Sequence, residues 1–117
     1  MKSIATDKAP APAGHYSQAM EHNGLVFVSG MLPIDPATGK AVNGTAAEQA
    51  KVALDNVRAV LAAAGCSLSD VLKATVYVSS VEFWPEVNRV YAEAFGEHKP
   101  ARAVVPTRDL HFGCLVE

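Results

Sequence analysis

Two charged residues late in the chain, Arg102 and Glu117, carry the chemistry that this sequence offers. Arg102 stands in Lys99-Pro100-Ala101-Arg102-Ala103-Val104-Val105, a lone cation in an apolar run that reads as a strand. A guanidinium there is costly to bury without a partner. Its planar fork suits a carboxylate, held through two parallel hydrogen bonds. Residue chemistry leaves two partners open: an Asp or Glu of the protein itself, or a small acidic ligand. Glu117 closes the apolar segment Cys114-Leu115-Val116-Glu117, where a carboxylate can orient or deprotonate a water. The competing reading is a frayed, solvated terminal residue.

The remaining polar candidates are weaker. Tyr16 and Ser29 are read on the two strands of a first hairpin, as hydrogen-bond donors to a polar ligand or as ordinary packing residues with satisfied hydroxyls. Asn88 lies off the apolar stripe of a helix and reads most simply as a solvent-facing amide. Trp84 reads as a packing anchor before that helix. Cys66 has no flanking His or Lys to activate it, and reads as inert. The two cysteines and four histidines show no metal-ligand spacing, so no metal is expected. A Gly-rich phosphate loop, a G-x-S-x-G elbow and a C-x-x-C pair are all missing.

The elements that must position these residues follow from pattern. The chain has 117 residues, so a single domain spanning 1–117 is expected. Half its residues are hydrophobic and its net charge is −2, which gives no basic stripe for nucleic acid. No apolar run reaches the roughly 20 residues of a membrane span. The first residues lack a signal-peptide core, and a cytoplasmic location is the expectation.

Ala9 to Gly14 is a Pro-rich loop. Tyr16–Glu21 and Leu25–Ser29 flank His22-Asn23-Gly24, a strong hairpin signal. Asp35 to Gly39 is a second turn. Thr45-Ala46-Ala47-Glu48 reads as a capping box opening a helix over Ala46–Ala64. Ala50, Ala53, Leu54, Val57, Leu61 and Ala64 form its apolar face. Glu48, Lys51, Asp55 and Arg58 form a solvated, ion-paired one. Asp70 to Ser79 alternates as a strand with Leu72, Ala74, Val76 and Val78 inward. A second helix starts at Pro85 and ends before Gly96 and Pro100. Strands over Ala101–Val105 and Cys114–Glu117 finish the chain.

That order, ββαβαββ, predicts two helices on one face of a mixed sheet. An apolar second face in so small a chain is most cheaply covered by another copy of itself, so a homo-oligomer is expected.

The chain resembles the RidA/YjgF/L-PSP family from end to end. The matching segments are Ile4-Ala5-Thr6 with Ala9-Pro10, Gly14-His15-Tyr16-Ser17-Gln18 and Val28-Ser29-Gly30-Met31-Leu32-Pro33. They continue with Gln49-Ala50 to Leu54-Asp55-Asn56-Val57, Ala62-Ala63-Ala64-Gly65 and Val87-Asn88 to Tyr91. Pro100-Ala101-Arg102 and Leu115-Val116-Glu117 complete the set. Each segment is weak alone, and their order and spacing are what carry the match.

The resemblance implies an α+β, chorismate-mutase-like fold, with subunits assembling as a homotrimeric barrel and a cleft at each subunit interface. It implies hydrolytic deamination of reactive enamine and imine acids, such as 2-aminoacrylate/2-iminopropanoate and 2-iminobutanoate, to 2-keto acids and ammonia, with no cofactor. Carried over, Arg102 matches the carboxylate clamp and Glu117 the glutamate beside the hydrolytic water. Tyr16, Ser29, Gly30 and Asn88 match positions lining the cleft.

Other readings attached to the same resemblance are deamination of another carboxylated enamine, an endoribonuclease or translation-inhibitor activity, and a keto-acid-binding module without turnover. His15, Lys99, Val104, Pro106 and His111 depart from the common family residues and flank the site, which bears on the substrate side chain. Family members usually run several residues past the position of Glu117, so a following tail is expected.

Overall fold

The computed structural model describes residues 1–117. Three antiparallel strands open the chain: β1 (Lys2–Ile4), β2 (Ala19–His22) and β3 (Leu25–Val28). The Asn23-Gly24 turn between β2 and β3 has φ of 52° and 78°. This is the left-handed backbone that a two-residue hairpin needs and that Asn and Gly tolerate. Strand β1 was not legible, because three residues give too little alternation to read. The turn at Asp35–Gly39 is the tip of a small hairpin of β4 (Ile34–Asp35) and β5 (Lys40–Ala41).

Helix α1 (Ala46–Ala63) matches the expected span to within one residue. Thr45 Oγ1 accepts from Glu48 N at 3.2 Å, while the Glu48 carboxylate meets the Thr45 hydroxyl at 3.2 Å and not the Thr45 backbone N–H. Half of the capping box is therefore formed. The solvated face is ion-paired as expected, with Asp55 3.1 Å from both Lys51 and Arg58. These exposed pairs stabilise the helix little.

After a 3-10 turn at Leu68–Asp70 comes β6 (Lys73–Val78). The strand is shorter than the alternation implied. Ser67 caps the turn, and the reciprocal Asp70–Ser67 bonds divert the chain from extended geometry. Leu72 is a correction too: it falls before the strand and is 74% exposed. Helix α2 (Trp84–Phe95) has Pro85 in its first turn, and β7 (Ala101–Pro106) runs parallel to β6 in the register Ala74↔Arg102. Pro106, one residue past the expected strand over Ala101–Val105, pairs with Val78 as the last residue of β7. A terminal position tolerates its missing N–H.

The expected strand over Cys114–Glu117 is reduced to one antiparallel bridge, Val78↔Val116. Backbone bonds between Glu117 and Tyr77, at 2.8 and 2.9 Å, fix the segment beside β6. A 3-10 turn at His111–Gly113 occupies the preceding residues, and Phe112 in it holds φ at 61°. Hydrogen bonding thus divides the strands into β1-β2-β3, β4-β5 and β6-β7, where one mixed sheet was expected.

The core lies between these strands and the two helices. Ala46, Ala50, Val87 and Val90 of the helices meet Val78 and Val116, with Val76 and Val104 packed alongside. Small alanines let α1 approach closely. Ile4, Ala9, Ala19, Met31 and Val60 form a second cluster under the first sheet.

Three buried amides tie the loops to this scaffold. Gln18 bonds Thr6 N and the carbonyls of Thr6, Ala9 and Pro10. Gln49 donates to Val42 O and accepts from Leu115 N at 2.8 Å. Asn56 donates to Leu32 O and Ile34 O at 3.1 and 2.9 Å. A buried polar group left without a partner is costly, so Asn56→Ala is expected to cost about 2 kcal/mol. A urea-unfolding midpoint that matches the wild type would refute this. No helix of the chain is long and apolar enough to cross a membrane.

Candidate functional site

Arg102 projects from the face of β7 that looks toward the helices, the face of its register partner Ala74, which packs against the Tyr91–Phe95 cluster. Its side chain is half-buried and has no Asp or Glu within salt-bridge distance; the ion pairs of the chain lie elsewhere. Of the two partners that the residues left open, a carboxylate of the same chain is therefore absent. Two groups of α2 take its place. The Asn88 carbonyl Oδ1 accepts from Arg102 Nη1 at 2.8 Å. The guanidinium carbon stands 4.7 Å from the centroid of the Tyr91 ring. Asn88 is thus a half-buried neighbour of Arg102, a correction to the solvent-facing amide. Arg102 has five N–H donors and spends one on Asn88, which leaves a fork for a carboxylate.

Glu117 belongs to a second group. Val116 is buried against Val78, so the next residue turns its side chain to the opposite sheet face, that of Tyr77. There the Glu117 carboxylate lies against Gly30: a Cβ built on Gly30 would overlap Glu117 Oε1 and stand 3.4 Å from Cδ. Glu117 is half-buried and hydrogen-bonded through its backbone, a correction to the frayed, solvated terminus. Burial pushes the Cys114 thiol up, and the neighbouring Glu117 carboxylate adds to it.

Tyr16 and Ser29 lie just outside the hairpin strands, a further correction to the sequence reading, because β2 begins at Ala19 and β3 ends at Val28. The Ser29 hydroxyl donates to Ser17 O at 2.6 Å and pins the two chain segments together. Tyr16 is 51% exposed, and its hydroxyl accepts weakly from Ala13 N at 3.4 Å. Tyr16 and Gly30 line a small cavity of about 50 Å³ with Met31, Leu32, Ile34 and Phe112. Gln18 holds the loop before Tyr16, and Asn56 holds the residues after Gly30, so buried amides brace this group from both sides.

The six expected residues therefore form two groups in one chain: Arg102 with Asn88, and Gly30 with Glu117, adjoined by Tyr16 and Ser29. Arg102 and Glu117 leave opposite faces of the sheet. Tyr91 was missed as a functional neighbour, because an aromatic on a helix's apolar stripe gives the same signal whether it fills a core or supports a cation. Phe112 was missed because nothing in a sequence marks a bulky residue that adopts a positive φ. No group of three or more His, Cys, Asp or Glu is placed to hold a metal.

Gly30 is required for space and not for its φ, which lies outside the left-handed region. Gly30→Ala is expected to fold normally and to displace the Glu117 carboxylate. Its melting temperature should stay within a few degrees of the wild type while any Glu117-dependent activity falls at least tenfold. An equally active Gly30→Ala would show that Glu117 is not held against Gly30.

Comparison with known proteins adds to this geometry. Residues 6–117 match the family model described as endoribonuclease L-PSP. A RutC family protein of Pyrococcus abyssi is 46% identical over 114 residues, covering 97% of this chain and 90% of that protein. The 2-iminobutanoate/2-iminopropanoate deaminase of Bos taurus is 44% identical over 116 residues, covering 99% and 85%. The crystal structure of RidA from the Antarctic bacterium Psychrobacter superposes with a TM-score of 0.95 at 38% identity, covering 99% of this chain and 94% of that one. The mixed α+β fold with its two helices is thus the RidA fold, and the chain belongs to the endoribonuclease L-PSP family, with the RutC- and RidA-named proteins.

Proposed function

We propose that this protein hydrolyses small 2-imino acids, of the 2-iminopropanoate and 2-iminobutanoate class, to 2-keto acids and ammonia. The observation that carries the reading is the half-buried Arg102, held at one edge by Asn88 and without a carboxylate of its own chain. A cation prepared in this way calls for an anion from outside, and a substrate carboxylate fits its free fork. The deaminase name of the bovine relative supports the same chemistry.

Arg102 holds the carboxylate, which sets the adjacent C=N carbon in place. The Glu117 carboxylate takes a proton from a water as the water oxygen bonds to that carbon and the C=N π electrons move to nitrogen. The nitrogen of the resulting carbinolamine is protonated, the C–N bond breaks, and ammonia leaves as the C=O bond forms. The step consumes one water and needs no oxidant or cofactor. Imines hydrolyse readily in water, so positioning and one base are enough help.

Arg102 and Glu117 leave opposite sheet faces, so one chain does not present both to one small molecule. We read the working site as shared, with the Arg102–Asn88 group of one copy facing the Tyr16, Ser29, Gly30 and Glu117 group of the next, in a homotrimer of single-domain subunits. The exposed apolar side chains Leu25, Phe27, Tyr77 and Val105 on the strands support a covered second face. The endoribonuclease reading has no comparable support: the net charge is −2, with no basic stripe for a phosphate backbone.

The test is keto-acid release from freshly generated 2-iminopropanoate and 2-iminobutanoate. Acceleration above the buffer rate supports the proposal. Release at the buffer rate with folded, assembled protein would sink it.

A further inference from the structure

We propose that the ring of Tyr91 is a platform that fixes the Arg102 guanidinium in the plane from which it grips a carboxylate. The inference rests on the reading that Arg102 binds a carboxylate, and it assigns to Tyr91 a positioning role, not a catalytic one. Asn88 and Tyr91 are three residues apart on α2 and so share one side of the helix. Asn88 Oδ1 meets the guanidinium at Nη1, 2.8 Å away, and the guanidinium carbon stands over the Tyr91 ring, 4.7 Å from its centroid. The contact with Asn88 alone leaves a guanidinium free to rotate about that hydrogen bond. A second contact, over the Tyr91 ring, restricts that rotation. Phe95, one turn further along α2, stacks on Tyr91 with centroids 4.3 Å apart and an interplanar angle of 25°. The ring therefore touches both Phe95 and Arg102.

Within the chain the hydroxyl makes no hydrogen bond. Tyr91 is 7% exposed, and its Oη is buried without a hydrogen-bond partner. Burial pushes the phenol up, against the opposing effect of the Arg102 charge, so the group stays neutral and the attraction runs from cation to ring face. An orphaned hydroxyl costs stability. The contact that Tyr91 makes with Arg102 is thus through the ring. The other groups around Arg102 fit this division, since Ala74 and Val104 beside it on the strands offer no polar atom.

The experiment compares binding of 2-ketobutyrate, the stable product analogue, to the assembled wild type, Tyr91→Phe and Tyr91→Leu. A partly desolvated cation–ring contact corresponds to roughly 5- to 30-fold in affinity. Tyr91→Leu is expected to weaken binding by that factor, and Tyr91→Phe to rescue it to within about twofold. Trifluorophenylalanine placed at position 91 keeps the ring's shape and drains its face of electron density. It is expected to weaken binding while the melting temperature holds, which a purely structural role would not produce, and it serves if Tyr91→Leu fails to fold.

The Arg102 side-chain N–H signals, followed by nitrogen-15 NMR without ligand, separate this proposal from the deaminase reading. Ring-current-shifted signals that revert in Tyr91→Leu, or shrink with fluorination, support the platform even if no keto acid binds. Unshifted signals, or fluorinated protein that binds like the wild type, overturn it. So does a Tyr91→Phe variant as weak as Tyr91→Leu, because the hydroxyl would then be the working part.

Discussion

Arg102→Ala is expected to lose most of the advantage over buffer that the proposed deaminase activity gives on small 2-imino acids. Two charge-assisted hydrogen bonds to a carboxylate are worth about 3–4 kcal/mol together, or roughly 10²–10³-fold in kcat/KM. The loss should appear mainly as a raised KM, because the clamp grips the carboxylate in ground and transition states alike. Spontaneous imine hydrolysis sets a floor, so the measured rate should approach that of buffer and not zero. Arg102→Lys keeps the charge without the fork and should recover only part of the loss. The variant should remain folded, since Arg102 forms no ion pair whose removal strands a buried charge. Steady-state kinetics with freshly generated imine and a melting curve decide the matter. An Arg102→Ala enzyme with unchanged KM would remove Arg102 from the site.

Glu117→Gln is expected to act on the other kinetic parameter. The amide keeps the shape of the side chain and its place against Gly30 but is no longer a base. A positioned general base contributes typically about 10²–10⁴-fold, so kcat should fall by roughly that factor while KM stays within about threefold. The Glu117 backbone bonds to Tyr77 do not involve the side chain, so stability should change little. A kcat within twofold of the wild type would show that water is activated by another group or needs no activation.

Much of this arrangement could be read from residues alone, and the failures have physical causes. The helices were legible because Ala50, Ala53 and Leu61 recur at helical spacing, and the Asn23-Gly24 hairpin because only a few residue pairs accept its backbone. Arg102 stood out because a lone cation in an apolar strand violates the pattern around it. Gln49 and Asn56 violate their pattern in the same way, as buried amides on the inner face of α1, yet their partners Leu115 and Leu32 are 66 and 24 residues away and local sequence does not name them.

The same distance hid the fate of the C-terminal segment. Its joining to β6 through Val78 and Val116 depends on tertiary contact and not on local β-propensity. Tyr16 and Ser29 were placed on strands because alternation continues past the points where the backbone leaves its partner. The split of the candidate site became visible only with the register of β6 and β7, which assigns Arg102 and Glu117 to opposite faces.

That split gives the account its most direct test. Arg102→Ala and Glu117→Gln subunits are each expected to be nearly inactive alone. When the two are unfolded, mixed and refolded together, some interfaces bring a native Arg102 from one chain to a native Glu117 from the other. The mixture is expected to recover activity well above that of either variant, by a fraction set by the mixing ratio. If native mass spectrometry shows mixed assemblies and imine hydrolysis stays at the level of the separate variants, the shared site is contradicted.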